Sequence, residues 1–364
     1  MDHNIKILFC GDTALKTSVR GADPFFKIRN TLNDYDVIFL NLETVVINHP
    51  DGEEKLVKNV CLYEQPEQLH YVASLGKGDA IKIVSLANNH ILDYGISAAK
   101  ETIKNVENFG ITHVGFNGKS SVIINVKGLK ICFLACYNRY KIIEKHSSYI
   151  VDEKEVLKDI KKNRPLVDLI VVSAHWGTEH VLFANPTQQK LARLLVDNGA
   201  DLIIGHHPHC IQGCEVYKGK SIYYSLGNFN FWGFDRPTMK MNQKSIVVSA
   251  TISNDKKISY QELPINIDNS YMPEIDSSIE TVNKLKEISV FLLPQVSPLC
   301  FFRRAAKTHL QGAITRRLEL VKSKPLGLFY FLAWLLAKPF NWGCYIALLW
   351  NFFGEDSSKF NEWE

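Results

Sequence analysis

Short apolar runs rich in β-branched residues alternate with amphipathic helical patterns through the first two thirds of the chain. Runs of consecutive apolar residues predict strands that are covered on both faces, and they lie at 5–10, 37–40, 81–86, 169–173 and 202–204. Helices are predicted at 96–109 and 187–198, where apolar residues recur at helical spacing and a glycine follows. Thr187 is the expected N-cap of the second helix.

Three pairs of short apolar runs are separated by turn residues. They predict β-hairpins that join 122–126 to 129–135, 216–217 to 221–225, and 246–252 to 258–263. Because hairpins and helical crossovers occur together, both antiparallel and parallel strand pairs are expected. We therefore predict an α/β protein with two mixed sheets flanked by helices, rather than one purely parallel sheet.

The pattern changes after about Pro264, and we predict a main domain over 1–268 and a helical C-terminal region over 269–364. Residues 276–290 form a polar amphipathic pattern, and a basic stretch follows. Two apolar stretches, 326–337 and 340–353, are each shorter than the ~20 residues that span a bilayer. They are expected to form either a helical pair packed on the main domain or an interfacial hairpin on an anionic membrane.

Composition narrows the class of protein. The chain has 364 residues, 46% of them hydrophobic, so it can bury a large core. The net charge of +4 does not indicate a nucleic-acid partner. Its eight cysteines are scattered without a zinc-ribbon or disulfide pattern, which suits a reducing compartment. No secretory signal pattern precedes the first strand. We expect a cytoplasmic protein, held at most peripherally on the inner face of the membrane.

Polar side chains follow the predicted strands. Asp12 and Glu43 each come directly after an apolar run, and Asn89 and His90 follow a third. The ends of such strands gather ligands in α/β sheets. The Asn89 oxygen is able to bind a metal, His90 to protonate a leaving group, and Asp93 to hold the other ring nitrogen of His90. The alternative is a turn whose asparagines cap the next helix.

Histidines give the strongest signal, since six of the twelve lie in three short segments after apolar runs. His175 follows one strand, with Glu179 nearby, and His206, His207 and His209 follow another. Alternation in an extended backbone would place His207 and His209 on the same side. Carboxylates, an amide and imidazoles at one edge predict a divalent-metal site for hydrolysis.

These segments resemble the CapA-like proteins of bacterial capsule and poly-γ-glutamate synthesis, a branch of the calcineurin-like metallophosphoesterases. The matching stretches follow one another over roughly residues 4–265: Gly11-Asp12, Asn41-Leu42-Glu43, Ala87-Asn88-Asn89-His90 with Asp93 and Gly95, His175-Trp176-Gly177 with Glu179, Gly205-His206-His207-Pro208-His209, and Tyr224-Ser225-Leu226-Gly227-Asn228-Phe229. The resemblance implies a four-layer sandwich with a two-metal site between strand ends.

The resemblance also implies a role for each residue. Asp12 and His209 would bind one divalent ion and Glu43 would bridge both, whereas Asn89, His175 and His207 would bind the second. His206 is the alternative to His207. His90 would be the general acid, and Asn228 would position substrate or ligands. Mn, Fe, Zn and Mg are not distinguished.

Two departures from the wider superfamily concern the first metal. Ala14 stands where a histidine is usual, and Glu43 stands where an aspartate is usual. A single tightly held metal or a weakly occupied pair therefore remains open. The leading hypothesis is hydrolysis of a phosphoester in an anionic substrate. The alternatives are a non-catalytic scaffold or polymer-binding subunit of a membrane-bound synthase complex, and a hydrolase of amide bonds.

Overall fold

The strands account for most of the regular structure. A computed structural model describes residues 4–50, 60–138, 149–232 and 241–292. Within these ranges the strands are β1 (Ile5–Thr13), β2 (Val37–Leu42), β3 (Val45–Val46), β4 (Tyr63–Glu64), β5 (Ile81–Ser85), β6 (Thr112–Val114), β7 (Ser121–Val126), β8 (Leu129–Tyr137), β9 (Leu169–His175), β10 (Leu202–His206), β11 (Cys214–Tyr217), β12 (Lys220–Tyr223), β13 (Asn228–Asn230), β14 (Lys244–Ile252), β15 (Ile258–Ile267) and β16 (Pro273–Ile275).

The strands form two large mixed sheets, as predicted. Sheet A has the order β16-β15-β14-β1-β2-β5-β6, with β13 paired to β1. Sheet B has the order β11-β12-β10-β9-β8-β7, and β3 and β4 form a separate small sheet. Strands β1, β2, β5 and β6 run parallel, whereas β14 joins β1 antiparallel. The three predicted hairpins are β7–β8, β11–β12 and β14–β15.

Helices cover the outer faces of the two sheets. They are α1 (Arg29–Leu32), α2 (Leu69–Ala73), α3 (Gly95–Asn108), α4 (Glu153–Asn163), α5 (Pro186–Asp197) and α6 (Glu280–Ser289). Helices α4 and α5 pack on sheet B, and α3 packs beside β6 of sheet A. The inner faces meet through aromatic rings, since those of Phe39 and Phe133 stack 5.6 Å apart. The layers are therefore helix, sheet, sheet and helix.

The N-cap of α5 differs from the prediction. The cap is Asn185, whose side chain accepts hydrogen bonds from the backbone N–H groups of Thr187 and Gln188, rather than Thr187 itself. Gln188 returns a hydrogen bond to the Asn185 backbone, which completes a capping box. Pro186 then occupies the first helical position, where its missing N–H costs nothing. The sequence Asn-Pro-Thr thus starts the helix earlier than expected.

The C-terminal part is described as far as residue 292. There β16 pairs with β15, and α6 packs against β15, β14 and β11. The predicted boundary at 268 stays a prediction. The basic and apolar stretches after 292 lie outside the described residues. In the part of the chain that the structure describes, none of the helices combines the length and apolar character that crossing a bilayer requires.

Candidate metal centre

The carboxyl ends of strands from both sheets meet at one place. Asp12 lies near the end of β1 and pairs in register with Asn41 of β2, and Glu43 directly follows β2. In sheet B, His175 and His206 are paired at the ends of β9 and β10. All five side chains are almost completely buried. Parallel strands thus deliver two carboxylates and two imidazoles to a common edge, as the sequence predicted.

A close approach of two backbones adds Asn228 to this edge. The Asp12 N–H donates to the Gly227 carbonyl oxygen over 3.0 Å. A Cβ atom at Gly11 would lie only 2.0 Å from the same oxygen, so only glycine fits there. Asn228 is the first residue of β13 and pairs with Asp12. Its Oδ1 atom lies 2.9 Å from Nδ1 of His209.

Two groups of side chains are able to hold a metal ion. One consists of Asp12, Glu43 and His209, and the other of Glu43, His175 and His207. Within each group the ligand atoms all lie within 4.8 Å of one another. The two groups share Glu43, the residue to which the family resemblance gave a bridging role. The geometry brings together five of the six predicted ligands in these groups, and Asn89 contacts one of them.

The backbone brings His207 and His209 together in an unexpected way. They do not alternate along an extended strand, because β10 ends at His206 and both residues have positive φ angles of 97° and 58°. The prediction of an extended segment was therefore wrong. A non-glycine residue in this region costs free energy and tends to occur where the surrounding structure requires it. Here the bent chain turns both imidazoles toward Glu43.

Charge dominates the first group, which contains Asp12, Glu43 and His209. Burial raises the pKa of the Asp12 carboxyl, but hydrogen bonds and charge from His206 and His209 more than offset this and lower it well below its usual value. Burial lowers the pKa of His209, but the charges of Glu43 and Asp12 raise it to about 10. The first group is thus an ion cluster, with 3.3 Å between His209 Nδ1 and Asp12 Oδ2.

Neutral imidazoles dominate the second group. Burial and the neighbouring His207 lower the pKa of His175 well below its usual value, and burial lowers that of His207 to about 4. Neutral imidazole is the form that binds metal ions. His175 Nε2 lies 2.7 Å from Oδ1 of Asn89 and 3.5 Å from Oε1 of Glu43. Asn89 therefore lies beside the second group, and the ligand role that the resemblance implied for it stays a prediction.

His90 and Asp93 form a buried pair next to these groups. His90 Nδ1 lies 2.7 Å from Oδ2 of Asp93, and the Leu62 N–H donates to the same oxygen over 2.6 Å. The Asn88 side chain caps the intervening turn by accepting from the N–H groups of His90 and Ile91. This orients the ring of His90, as expected for an imidazole that exchanges a proton through its other nitrogen.

Glu179 and His206 lie beside the two groups without belonging to either. The Glu179 side chain is 51% exposed. Desolvation raises the pKa of its carboxyl group, but the charges of His207 and His209 outweigh this and lower the pKa to about 2. His206 is fully buried, with Nδ1 3.3 Å from Oδ1 of Asp12. Of the two alternatives His206 and His207, His207 belongs to a ligand group, the second one. His206 instead contacts Asp12, a carboxylate of the first group.

The donor set fits divalent cations. Carboxylates and imidazoles bind such ions at metal-to-ligand distances of about 2.0–2.2 Å. Within each group the ligand atoms lie within 4.8 Å of one another, so small adjustments would bring them to this distance from a common ion. The His207 Nδ1 atom is buried and has no hydrogen-bond partner among the residues described here. A buried nitrogen in this state costs free energy unless something else binds it. The residues therefore suit a metal centre.

Sequence reasoning missed the contribution of Asn41 and Asn88. The Asn41 amide lies among Asp12, Glu43 and His175, and Asn88 donates to its Oδ1 atom over 3.2 Å. The available signal was an amide within the otherwise apolar run 37–42, because a fully buried asparagine requires partners for both ends of its side chain. The pattern alone does not say which partners these are.

Comparison with known proteins identifies the family. The model of the family described as "Bacterial capsule synthesis protein PGA_cap" matches residues 6–232. The chain belongs to this family. It is 30% identical over 277 residues to "Capsule biosynthesis protein CapA" of Bacillus anthracis and 29% identical over 227 residues to "PGA biosynthesis protein CapA" of Bacillus subtilis. These alignments include 71% and 59% of this chain, and 65% and 58% of the two relatives.

The aligned part of this PGA_cap chain thus spans less than two thirds of either relative. Among solved structures, it resembles "a novel phosphatase" from Mycoplasma pneumoniae, with 13% identity and a TM-score of 0.49. That alignment covers 80% of this chain and 100% of the other. It also resembles a 5'-nucleotidase from Candida albicans, with a TM-score of 0.44, 13% identity and coverage of 79% and 58%.

Proposed function

We propose that this PGA_cap protein is a metal-dependent hydrolase of a phosphoester, acting in the synthesis of a capsule or of poly-γ-glutamate. The observation that carries the proposal is the pair of ligand groups that meet at Glu43. The names of its two Bacillus relatives support the pathway. The natural substrate is expected to be anionic or phosphorylated, and a nucleic-acid partner is not expected.

Each ligand group would hold one divalent ion, through Asp12, Glu43 and His209 on one side and Glu43, His175 and His207 on the other. When bound, such ions lower the pKa of a water molecule toward neutrality and stabilise charge on a phosphoryl group. The ions are expected to number two.

Other side chains near the centre would have separate roles in the reaction. His90, oriented by Asp93, would give a proton to the leaving oxygen. Asn228 would hold the ring of His209 through Nδ1 and leave Nε2 directed toward Glu43. Glu179 is half exposed beside the histidines and would contact the substrate side of the centre.

A second candidate is a non-catalytic scaffold or polymer-binding subunit of a membrane-associated synthase. The observation that favours it is Ala14, which is fully buried and donates its backbone N–H to Asn230. Alanine supplies no donor where the wider superfamily usually has a histidine, so the first group is poorer in ligands. In this case the protein would sit on the inner membrane face through residues after 292.

Metal content and hydrolysis together test the proposal. Purified protein should contain close to two divalent ions, and it should hydrolyse generic aryl phosphodiesters in their presence. His90→Ala should lower kcat by about 10²–10⁴-fold while the metal content stays unchanged. Equal rates for wild type and His90→Ala would remove the catalytic assignment.

The same preparation separates the alternatives. Cleavage of a γ-glutamyl oligomer, but of no phosphoester, would replace the ester by an amide bond. Absence of both activities, together with pelleting on anionic vesicles, would favour the scaffold.

A further inference from the structure

Asn41 lies where the two sheets and the two ligand groups meet. It is the fifth residue of β2, is fully buried, and pairs with Asp12 of β1 on one side and Ser85 of β5 on the other. Its side chain therefore leaves a central strand of sheet A at the level of the metal ligands. An amide at this depth must have partners for both its N–H and its C=O ends.

One nitrogen atom of Asn41 reaches both ligand groups. Nδ2 donates to Asp12 Oδ1 over 2.9 Å and to Glu43 Oε2 over 3.3 Å. His175 Nδ1 lies 3.3 Å from the same nitrogen. Asp12 belongs to the first group, His175 to the second, and Glu43 to both. A single amide thus contacts three of the five ligand residues.

Asn88 fixes which way this amide faces. Its Nδ2 donates to Asn41 Oδ1 over 3.2 Å and to the Leu42 carbonyl over 2.8 Å. Because Oδ1 of Asn41 accepts from Asn88, the NH₂ end must face the carboxylates. The Oδ1 atom of Asn88 in turn caps the turn that carries His90.

The chemistry of an amide suits this position. The two carboxylates, buried side by side, repel each other, and a donor to both reduces that repulsion. A lysine or arginine would also do so, but its full charge would compete with a cation for the same oxygens. An aspartate would add a third negative charge. A neutral NH₂ group orients both carboxylates while leaving their charge available for metal ions.

We propose that Asn41 is a positioning residue of the metal centre: locked by Asn88, its amide sets the carboxylates of Asp12 and Glu43 relative to His175, so that both ligand groups form together. This inference rests on the proposed metal-dependent function. It assigns a role to a residue that touches ligands rather than the reacting atoms.

The test compares Asn41→Leu with wild type, using Mn²⁺ as the probe. Titration calorimetry of EDTA-treated protein should show Mn²⁺ affinity about 10–100-fold weaker in the variant, the usual effect of removing a partner of metal ligands. The increase in Tm that Mn²⁺ causes should shrink accordingly. A purely structural role would lower Tm with and without Mn²⁺ and leave the increase unchanged.

The matched control is Asn105→Leu. Asn105 is a buried asparagine whose amide donates to the Val46 carbonyl rather than to a ligand. This variant should lose stability yet keep wild-type Mn²⁺ affinity. If Asn41→Leu does not fold, Asn41→Ser serves instead, since its short hydroxyl side chain cannot reach both carboxylates.

The outcomes separate this inference from the proposed function. Wild-type Mn²⁺ affinity in the Asn41 variant overturns the inference alone. A wild-type protein that binds Mn²⁺ with the expected dependence on Asn41 but hydrolyses nothing overturns the proposed function alone. A wild-type protein that binds neither Mn²⁺ nor Zn²⁺, Fe²⁺ or Mg²⁺ overturns both.

Discussion

In the group of Asp12, Glu43 and His209, two buried carboxylates face one imidazole, whereas in the other group one carboxylate faces His175 and His207. Burial lowers the pKa of every one of these imidazoles. Only for His209 do the neighbouring carboxylates outweigh burial and raise the pKa to about 10, while His175 moves the opposite way. The adjacent carboxylates therefore decide the direction of the pKa shift at His209, whereas burial decides it at His175 and His207.

The two ligand groups of the proposed centre differ in the kinds of atoms that they offer to a metal ion. The first group is rich in charge, and Asn228 orients its imidazole. The second is rich in neutral nitrogen donors, and its His175 contacts amides on both ring nitrogens. Oxygen-rich groups suit harder cations such as Mn²⁺ and Mg²⁺, whereas imidazoles suit Zn²⁺ and Fe. We expect the two groups to differ in metal preference, the first binding Mn²⁺ or Mg²⁺ more tightly and the second Zn²⁺ or Fe.

The largest effect is expected from the residue that both groups share. Glu43→Gln keeps the shape of the side chain but removes its charge, so the affinity for both Mn²⁺ ions should fall by about 100-fold or more. Titration calorimetry measures this loss, and phosphodiester hydrolysis should disappear with it. Glu64→Gln is the control, because Glu64 pairs with Lys16 outside both groups. Two ions bound at wild-type affinity in Glu43→Gln would show that the groups do not share this ligand.

Changing one histidine from each group should separate the two ions. His209→Asn is expected to weaken the ion of the first group by about 10–100-fold and to spare the other, and His175→Asn to do the reverse. Metal content after dialysis against limiting Mn²⁺ or Zn²⁺ measures which ion is lost. If both variants lose the same ion, the division into two groups is wrong.

A smaller effect is expected beside the groups, at Asp93. Asp93→Asn weakens the contact to His90 Nδ1 but leaves the ligands in place. The value of kcat should fall by about ten-fold at unchanged Mn²⁺ affinity, because only the orientation and basicity of His90 are affected. Steady-state kinetics with parallel metal analysis provides the measurement. Loss of metal in this variant would place Asp93 among the residues that support the ligands.

The smallest effect is expected at His113, a buried histidine outside the metal centre, where burial is the largest cause of the pKa shift. Burial lowers the pKa of His113 from 6.5 to about 4, although the exposed Glu107 lies 3.4 Å away. The unfolded chain takes up this proton first, so stability falls as the pH decreases from about 6.5 to about 4.

His113→Gln should reduce the difference in unfolding free energy between pH 7 and pH 4 by on the order of 1 kcal/mol. Urea denaturation at both pH values measures the change. An unchanged difference would mean that burial does not hold His113 neutral.

The pattern of apolar runs predicted the strands that carry the centre, because strands buried on both faces consist of nearly continuous Ile, Val and Leu residues. It also predicted which polar residues follow them. The pattern did not reveal the conformation of His207 and His209, since positive φ angles at non-glycine residues are imposed by tertiary contacts. Nor did it reveal Asn41, because its partners lie 29 residues away in Asp12 and 134 residues away in His175.

The start of helix α5 was also not predicted correctly from the sequence pattern. Thr187 and Asn185 are both able to cap α5, and the choice depends on Pro186, which favours an extended residue before it and a helical start at its own position. The extent of the C-terminal region and its relation to membranes remain predictions.

The missing side chain at Gly11 has a consequence for how this centre tolerates change. Since the Gly227 oxygen occupies the space of a methyl group there, Gly11→Ala would push β13 outward and carry Asn228 away from the ring of His209. The addition of a single carbon atom, at a residue that belongs to neither ligand group, would thus loosen an imidazole almost two hundred positions further along the chain.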